Sequence, residues 1–157
     1  MITGRHRRKV EGILLLAVAA AGAPASSSAQ TISTVSNLTF GSFVAGTGGT
    51  LTVNPGGTRA STGAVVAVAH GTTFGAASFL VSGTRNASYT LTLPVNGTVF
   101  LSDGTHTMAL NNFSVSPPNG HLSGGGTQTI RVGATLTVGN GQPAGNYAGT
   151  YSLTVNY

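Results

Sequence analysis

The chain has 157 residues, of which 24 are glycine and none is cysteine; 6% are charged and 40% apolar. That length predicts one domain, and low charge with high apolar content excludes a disordered chain. Without cysteine there is no thiol catalysis, thiolate metal site or thiol-attached haem, and a surplus of Gly, Thr, Ser and Val over Lys and Glu favours short strands over helix.

The formal charge of +5 is concentrated at the start of the chain. Arg5, Arg7, Arg8 and Lys9 lie together, and Glu11 follows them. Beyond that point only Arg59, Arg85 and Arg131 stand against one acid, Asp103. Three scattered cations make no patch that could displace counterions from a phosphate backbone, so no nucleic-acid partner is expected.

The first 29 residues read as an export signal. The cationic run precedes a short apolar stretch, Ile13 to Gly22, which Pro24 ends. A membrane span needs roughly 20 apolar residues, more than this stretch supplies. Ser27-Ser28-Ala29 fits the small-x-small rule and places cleavage between Ala29 and Gln30, with Ala23-Pro24-Ala25 as a second candidate. The expected organisation is a signal peptide over 1–29 and a single β-sandwich domain over 30–157. The product is expected in the periplasm, at the cell surface or outside a bacterial-type cell, with no membrane span after cleavage. Exported domains often use disulfides; this one must rely on packing and sheet hydrogen bonds.

In chain order, Thr31 to Asn37 is short, polar and weakly patterned, with Ile32 and Val35 out of phase. Leu38 and Phe40 then share a face, and a turn is expected over Gly46 to Gly49. Thr50-Leu-Thr-Val53 alternates before a second turn at Asn54-Pro-Gly-Gly57. Gly63 to His70 is a nearly continuous apolar run whose β-branched residues favour a strand buried on both faces over a short helix. Ala77 to Ser82 is a strand, and Ser88 to Leu93 turns Tyr89, Leu91 and Leu93 inward. Asn96-Gly97 is a hairpin signal. Val99 to Leu101, a turn at Asp103-Gly104, and His106 to Leu110 follow. From Asn112 to Val115 the apolar positions change from even to odd, which requires a bulge near Asn111. Pro117 to Gly120 and Gly124 to Gly126 read as loop. Gln128 to Val138 is the longest strand, with Ile130, Val132, Ala134, Leu136 and Val138 on one face and a bend or bulge at Gly133.

The last stretch runs from Pro143 to Tyr157. Tyr147, Tyr151, Leu153, Val155 and Tyr157 fall on one face of an alternating strand, and Thr150, Ser152, Thr154 and Asn156 on the other. About nine short strands separated by turn signals predict an all-β fold, an immunoglobulin-like Greek-key sandwich, with a closed barrel as the alternative. The terminal strand's free edge, along Tyr151, Leu153, Val155 and Tyr157, is a candidate assembly edge, because an exposed flat strand invites pairing.

Catalytic patterns are scarce. Two-carboxylate chemistry needs a second acid beside Asp103. Asp103 and His106 are close, but no Gly-x-Ser-x-Gly elbow accompanies them, and Asp103 reads as the cap of its own turn. His70, His106 and His121 have spacings that match no metal-ligand pattern, and calcium would need more carboxylates. The glycine clusters lack the following Lys and helix of a phosphate loop. No enzymatic activity, cofactor or metal is expected.

Three stretches together carry a resemblance: Leu38-Thr-Phe-Gly-Ser-Phe43; Gly83 to Leu93; and Val132 to Val138 running into Pro143-Ala-Gly-Asn-Tyr147 and the closing strand to Tyr157. The mature region resembles the bacterial domain of unknown function 4402, and more distantly the spore-coat-U and fimbrial-subunit domains of chaperone–usher systems. The resemblance implies a fimbrial-subunit-like sandwich lacking its last strand, filled by a neighbour's N-terminal segment. It implies a non-enzymatic fimbrial or coat-like subunit that forms a homopolymer or joins related subunits, with a periplasmic chaperone and usher as partners. Ile32 and Val35 then become candidate donor-arm residues, although the arm from Gln30 to Asn37 is short for that task. The alternative is a monomeric periplasmic or secreted binding module of adhesin type, with its ligand at the loops Asp103 to His106 or Pro117 to Gly126.

Overall fold

A computed structural model describes residues 11–13 and 30–157. The cationic run Arg5 to Lys9, the apolar run beyond Ile13, and Ala29 before the expected cleavage point lie outside the described residues. Every regular element described is a strand. They are β1 (Glu11–Ile13), β2 (Thr31–Ser36), β3 (Phe43–Val44), β4 (Gly49–Val53), β5 (Arg59–Gly63), β6 (Val66–Ala67) and β7 (Ala77–Ser82), then β8 (Ser88–Thr92), β9 (Val99–Ser102), β10 (Thr107–Ser116), β11 (Asn119–His121), β12 (Thr127–Val138), β13 (Thr150–Ser152) and β14 (Thr154–Asn156).

The largest sheet runs β2-β7-β12-β10-β9, with β4 beside β12 and β5 beside β4. A second sheet runs β11-β8-β14, while β3–β6 and β1–β13 form two-stranded ribbons. The axis of the large sheet is β12. Its first half pairs antiparallel with β7, from Thr127↔Ser82 to Val132↔Ala77. Its second half pairs with β4, from Ala134↔Val53 to Val138↔Gly49. Gly133 lies at the handover, and a Cβ there would stand 2.2 Å from the Val53 carbonyl oxygen. Only glycine lets the two backbones approach so closely, which is the physical reason for the bend expected at this position.

Alternation places the core. In β7 the residues Ala77, Phe79 and Val81 are buried, and in β12 Ile130, Val132, Ala134, Leu136 and Val138 are. They join Leu51 and Val53, Leu101, Met108 and Leu110, and Tyr151, Leu153 and Val155 in one cluster. Each Val, Leu, Ile, Met or Phe side chain among them contributes about 1.5–3 kcal/mol on burial, and each alanine methyl about 0.8. The bulge in β10 falls between Asn111 and Ser114, with Asn112 at φ 50°. Asn96 and Gly97 dock on it: the Asn112 amide donates to Asn96 Oδ1 at 2.7 Å and the Gly97 amide to Asn111 Oδ1 at 2.9 Å.

The opposite face of β4 and β12 is threonine-rich. Thr62, Thr50 and Thr137 form one row across β5, β4 and β12, and Thr52, Thr135 and Asn111 a second across β4, β12 and β10. Their side chains are joined by Thr50–Thr62 at 2.7 Å and Asn111–Thr137 at 3.2 Å, with Thr52–Thr135 at 2.9 Å alongside.

Four local expectations are corrected. Asn96-Gly97 turns the chain, but β8 and β9 lie in different sheets, so it is a crossover and not a hairpin; the asparagine side chains of the bulge hold it instead. The apolar run Gly63 to His70 forms only the two-residue β6, with Val65 buried and Val66 and Val68 exposed, because it sits at an outer ribbon. Part of the loop expected over Pro117 to Gly120 pairs as β11 with β8. Tyr157 is 41% exposed, so the inward face of the terminal strand ends at Val155.

Candidate assembly edge and the adjoining cleft

The terminal strand is delivered by an irregular segment, Gln142 to Gly149. Tyr147 shapes it: its hydroxyl donates to the Pro143 carbonyl at 2.9 Å and accepts from Gln142 Nε2 at 2.9 Å. The ring thus ties a corner while staying partly buried against the core. Ala148 exchanges both backbone bonds with Ser102 at the end of β9, at 2.8 and 2.9 Å.

Beyond that point the strand is split. Tyr151 in β13 packs against Phe79 of β7, with ring centroids 6.4 Å apart and nearly perpendicular, and against Phe113 of β10 at 5.3 Å. Its hydroxyl is buried and meets no hydrogen-bond partner among the described residues. Desolvation therefore pushes its pKa well above the ordinary tyrosine value. Leu153 interrupts the pairing and is itself buried. Val155 in β14 is buried while Thr154 and Asn156 pair with Thr92 and Thr90 of β8.

The backbone edges differ between the two halves. Among the described residues β14 has one strand partner, β8, and none on its far side. β13 has a parallel partner, β1, in the register Glu11↔Thr150, Gly12↔Tyr151 and Ile13↔Ser152. Tyr151, Leu153 and Val155 are thus brought together as core side chains on a strand whose far edge, among the described residues, is open at β14 and paired at β13 by the N-terminal segment. Tyr157, also expected at this edge, lies outside the core.

The expected arm residues lie elsewhere. β2 pairs antiparallel with β7, with Ile32 opposite Val81. Ile32 is half-buried; Val35 falls at a register shift between Thr34 and Ser36 and is 66% exposed. The arm is thus an edge strand of its own chain's large sheet, with a single side chain turned to the core. Gln30, the expected new N-terminus, is half-buried just before it.

A cleft of about 590 Å³ adjoins the delivery segment. Its floor is Leu38, Phe40, Leu101, Met108 and Leu136, and its walls are Gly41 to Ala45 and Gln142 to Tyr147. The walls are joined at one end, where the Gly141 amide donates to the Gly46 carbonyl at 3.0 Å. Arg59 fixes the first wall. Its guanidinium donates to the carbonyls of Phe40 at 2.9 Å and Val68 at 2.6 Å, and stacks 4.3 Å from the centre of the Phe74 ring. In the sequence Arg59 is one of three scattered cations; a lone arginine carries no local signal of the carbonyls that converge on it.

Near the second wall, Asp103 caps its own turn. Its Oδ1 accepts from the amides of His106 at 2.7 Å and Thr105 at 2.8 Å, and its Oδ2 lies 3.2 Å from His106 Nδ1. Those two amides, His106 first, hold its pKa down to about 2. The Gly145 backbone abuts the same carboxylate, since a Cβ there would lie 2.8 Å from Oδ2. The carboxylate is engaged by its own turn, and the Ser102 hydroxyl accepts from the Gly104 amide at 3.0 Å. His121 bonds the Ser88 hydroxyl at 3.0 Å, away from this turn. No group of three or more His, Cys, Asp or Glu able to hold a metal ion occurs among the described residues. The loop Gly124 to Gly126 is a turn closed by the Gly126 amide on the Ser123 carbonyl.

Comparison with known proteins gives one match. The family model described as Domain of unknown function (DUF4402) covers residues 30–157. No curated protein and no solved structure matches the chain.

Proposed function

The chain belongs to the DUF4402 family, and on that premise we propose that it is a non-enzymatic, exported structural subunit of fimbrial or coat-like type. In this reading an immunoglobulin-like sandwich at the cell surface assembles by strand complementation with copies of itself or with related subunits. One observation carries the reading: the terminal strand buries Tyr151, Leu153 and Val155 as core, yet β14 has a strand on one side only among the described residues. A strand with core side chains and an open edge is a template for a further strand. Head-to-tail donation between identical subunits does not close and builds a filament. The distant fimbrial-subunit and spore-coat-U resemblance expected from the sequence of the mature region points the same way, as does the export signal expected over 1–29. A chaperone and usher are the partners that such a subunit would use.

The test is assembly of the chain after leader removal. Light scattering and electron microscopy across a concentration series should show polymers that grow with concentration. A species that remains monomeric throughout refutes the proposal. The cleft supports a second reading, a monomeric binding module of adhesin type, because its volume and apolar floor suit a small ligand. The Asp103–His106 turn, one of the two ligand loops expected from the sequence, stands beside its Gly145 wall. Ligand capture by a strictly monomeric protein would favour that reading.

A further inference from the structure

The N-terminal segment reaches the terminal strand. Glu11–Ile13 lies along Thr150–Ser152 in parallel register, although residues 14–29 separate it from the family-matched region. Residues 14–29 are the tether between β1 and the start of the domain at Gln30. That connection spans up to about 55–60 Å when extended, and a domain of this size has a radius of gyration of about 14 Å. A tether of sixteen residues is therefore long enough to reach β13 from the start of β2.

We infer that the β13 edge is a strand-accepting surface that takes a strand running parallel to it, and that Glu11–Ile13 fills this surface in the unprocessed chain. The inference rests on the proposed assembly reading for its purpose, which is to keep the edge closed until the leader is removed. Both cleavage points expected from the sequence, after Ala25 and after Ala29, lie between the capping segment and the domain. Cutting at either one converts an intramolecular contact into a bimolecular one. A three-residue pairing held by a tether enjoys a local concentration in the millimolar range and loses it when the tether is cut. The edge left behind is rigid, because Tyr151 at its centre is wedged between Phe79 and Phe113.

The test uses the full chain with a specific protease site placed within residues 20–29, folded first and cut afterwards. Hydrogen exchange is read at the amides of Thr150, Tyr151 and Ser152. In the intact chain the amides among them that face β1 should exchange about tenfold more slowly than after cutting, and those facing the other way serve as the internal reference. The double substitution Gly12→Pro with Ile13→Pro in the intact chain should abolish the difference. Neighbouring residues of a strand point their amides to opposite sides, so one of the two prolines removes a donor that faces β13. A synthetic peptide of residues 9–15, Lys-Val-Glu-Gly-Ile-Leu-Leu, should restore slow exchange to the cut chain. Equal exchange in the intact, cut and double-proline chains overturns the inference. Polymer formation is scored in the same samples. Polymers with equal exchange in all three leave assembly standing without the cap. A cut chain that opens its edge but stays monomeric leaves the cap standing without assembly.

Discussion

Replacing Tyr151 with phenylalanine should stabilise the protein, and increasingly so at alkaline pH. The ring lies against Phe79 and Phe113, contacts that phenylalanine keeps. The hydroxyl is buried and meets no partner among the described residues, and such a group costs about 1–3 kcal/mol in lost hydration. Removing it leaves a gap of a single oxygen, so part of the gain is returned as lost packing. The net gain at pH 7 should be about 1 kcal/mol, or roughly 3–5 °C in Tm for a domain of this size. The pH dependence supplies the sharper test. Burial raises the pKa in the folded state above the unfolded value near 10. The stabilising effect of that shift is complete below pH 10 and is lost as pH rises, because only the unfolded chain then sheds the proton. At pH 11 this costs the wild-type protein about 1.4 kcal/mol, and Tyr151→Phe is spared it. The gap between the two proteins should thus widen from about 1 to about 2.4 kcal/mol. Urea unfolding followed by far-ultraviolet circular dichroism at pH 7, 9, 10 and 11 measures it. A variant less stable at pH 7 would show that the hydroxyl is bonded, and a gap that stays constant to pH 11 would refute the burial argument.

Gly133→Ala should destabilise by about 2–4 kcal/mol, since the added methyl meets the Val53 carbonyl at 2.2 Å and displaces a strand that buries Leu51 and Val53. Gly75→Ala, where a Cβ meets nothing within 4 Å, should stay within about 0.5 kcal/mol and is the control in the same urea titrations. Deleting residues 30–36 removes an edge strand with only Ile32 turned inward, so the domain should stay folded with a loss of about 1–3 kcal/mol; outright unfolding in circular dichroism would show that β2 matters more than its burial implies. Asp103 gains stability from its turn above the ordinary carboxylate value of 3.8 and loses it as pH falls through about 2. Acid titration of Asp103→Ala should therefore be flatter than wild type between pH 4 and 2, and coincident curves would contradict the cap.

The legible parts of the sequence are those where alternation and burial agree. β7 and β12 were readable because each places large apolar residues on one face and small polar ones on the other. The bulge of β10 was readable because a change of apolar parity from Leu110 to Phe113 has no other cheap solution. β5 was not, because Arg59-Ala-Ser-Thr-Gly63 has no apolar face at all and pairs only through backbone and the Thr50–Thr62 contact. Gly63 to His70 misled for the opposite reason: hydrophobicity marks a tendency to be buried, and here the outer ribbon offers room to bury only Val65. At the candidate site the inward set Tyr151, Leu153 and Val155 was legible, while the split at Leu153 and the parallel contact with β1 depend on distant backbone that carries no local pattern.

The threonine and asparagine rows on the face of β5, β4, β12 and β10 have a consequence for behaviour in solution. Residues 30–157 keep water at their surface through hydroxyl and amide dipoles and carry only three arginines, one aspartate and three histidines. A Debye atmosphere has little to screen on such a surface. Charge-mediated self-association of this domain should therefore change little between dilute buffer and about 0.15 M salt, leaving apolar contact and temperature as the variables that govern it.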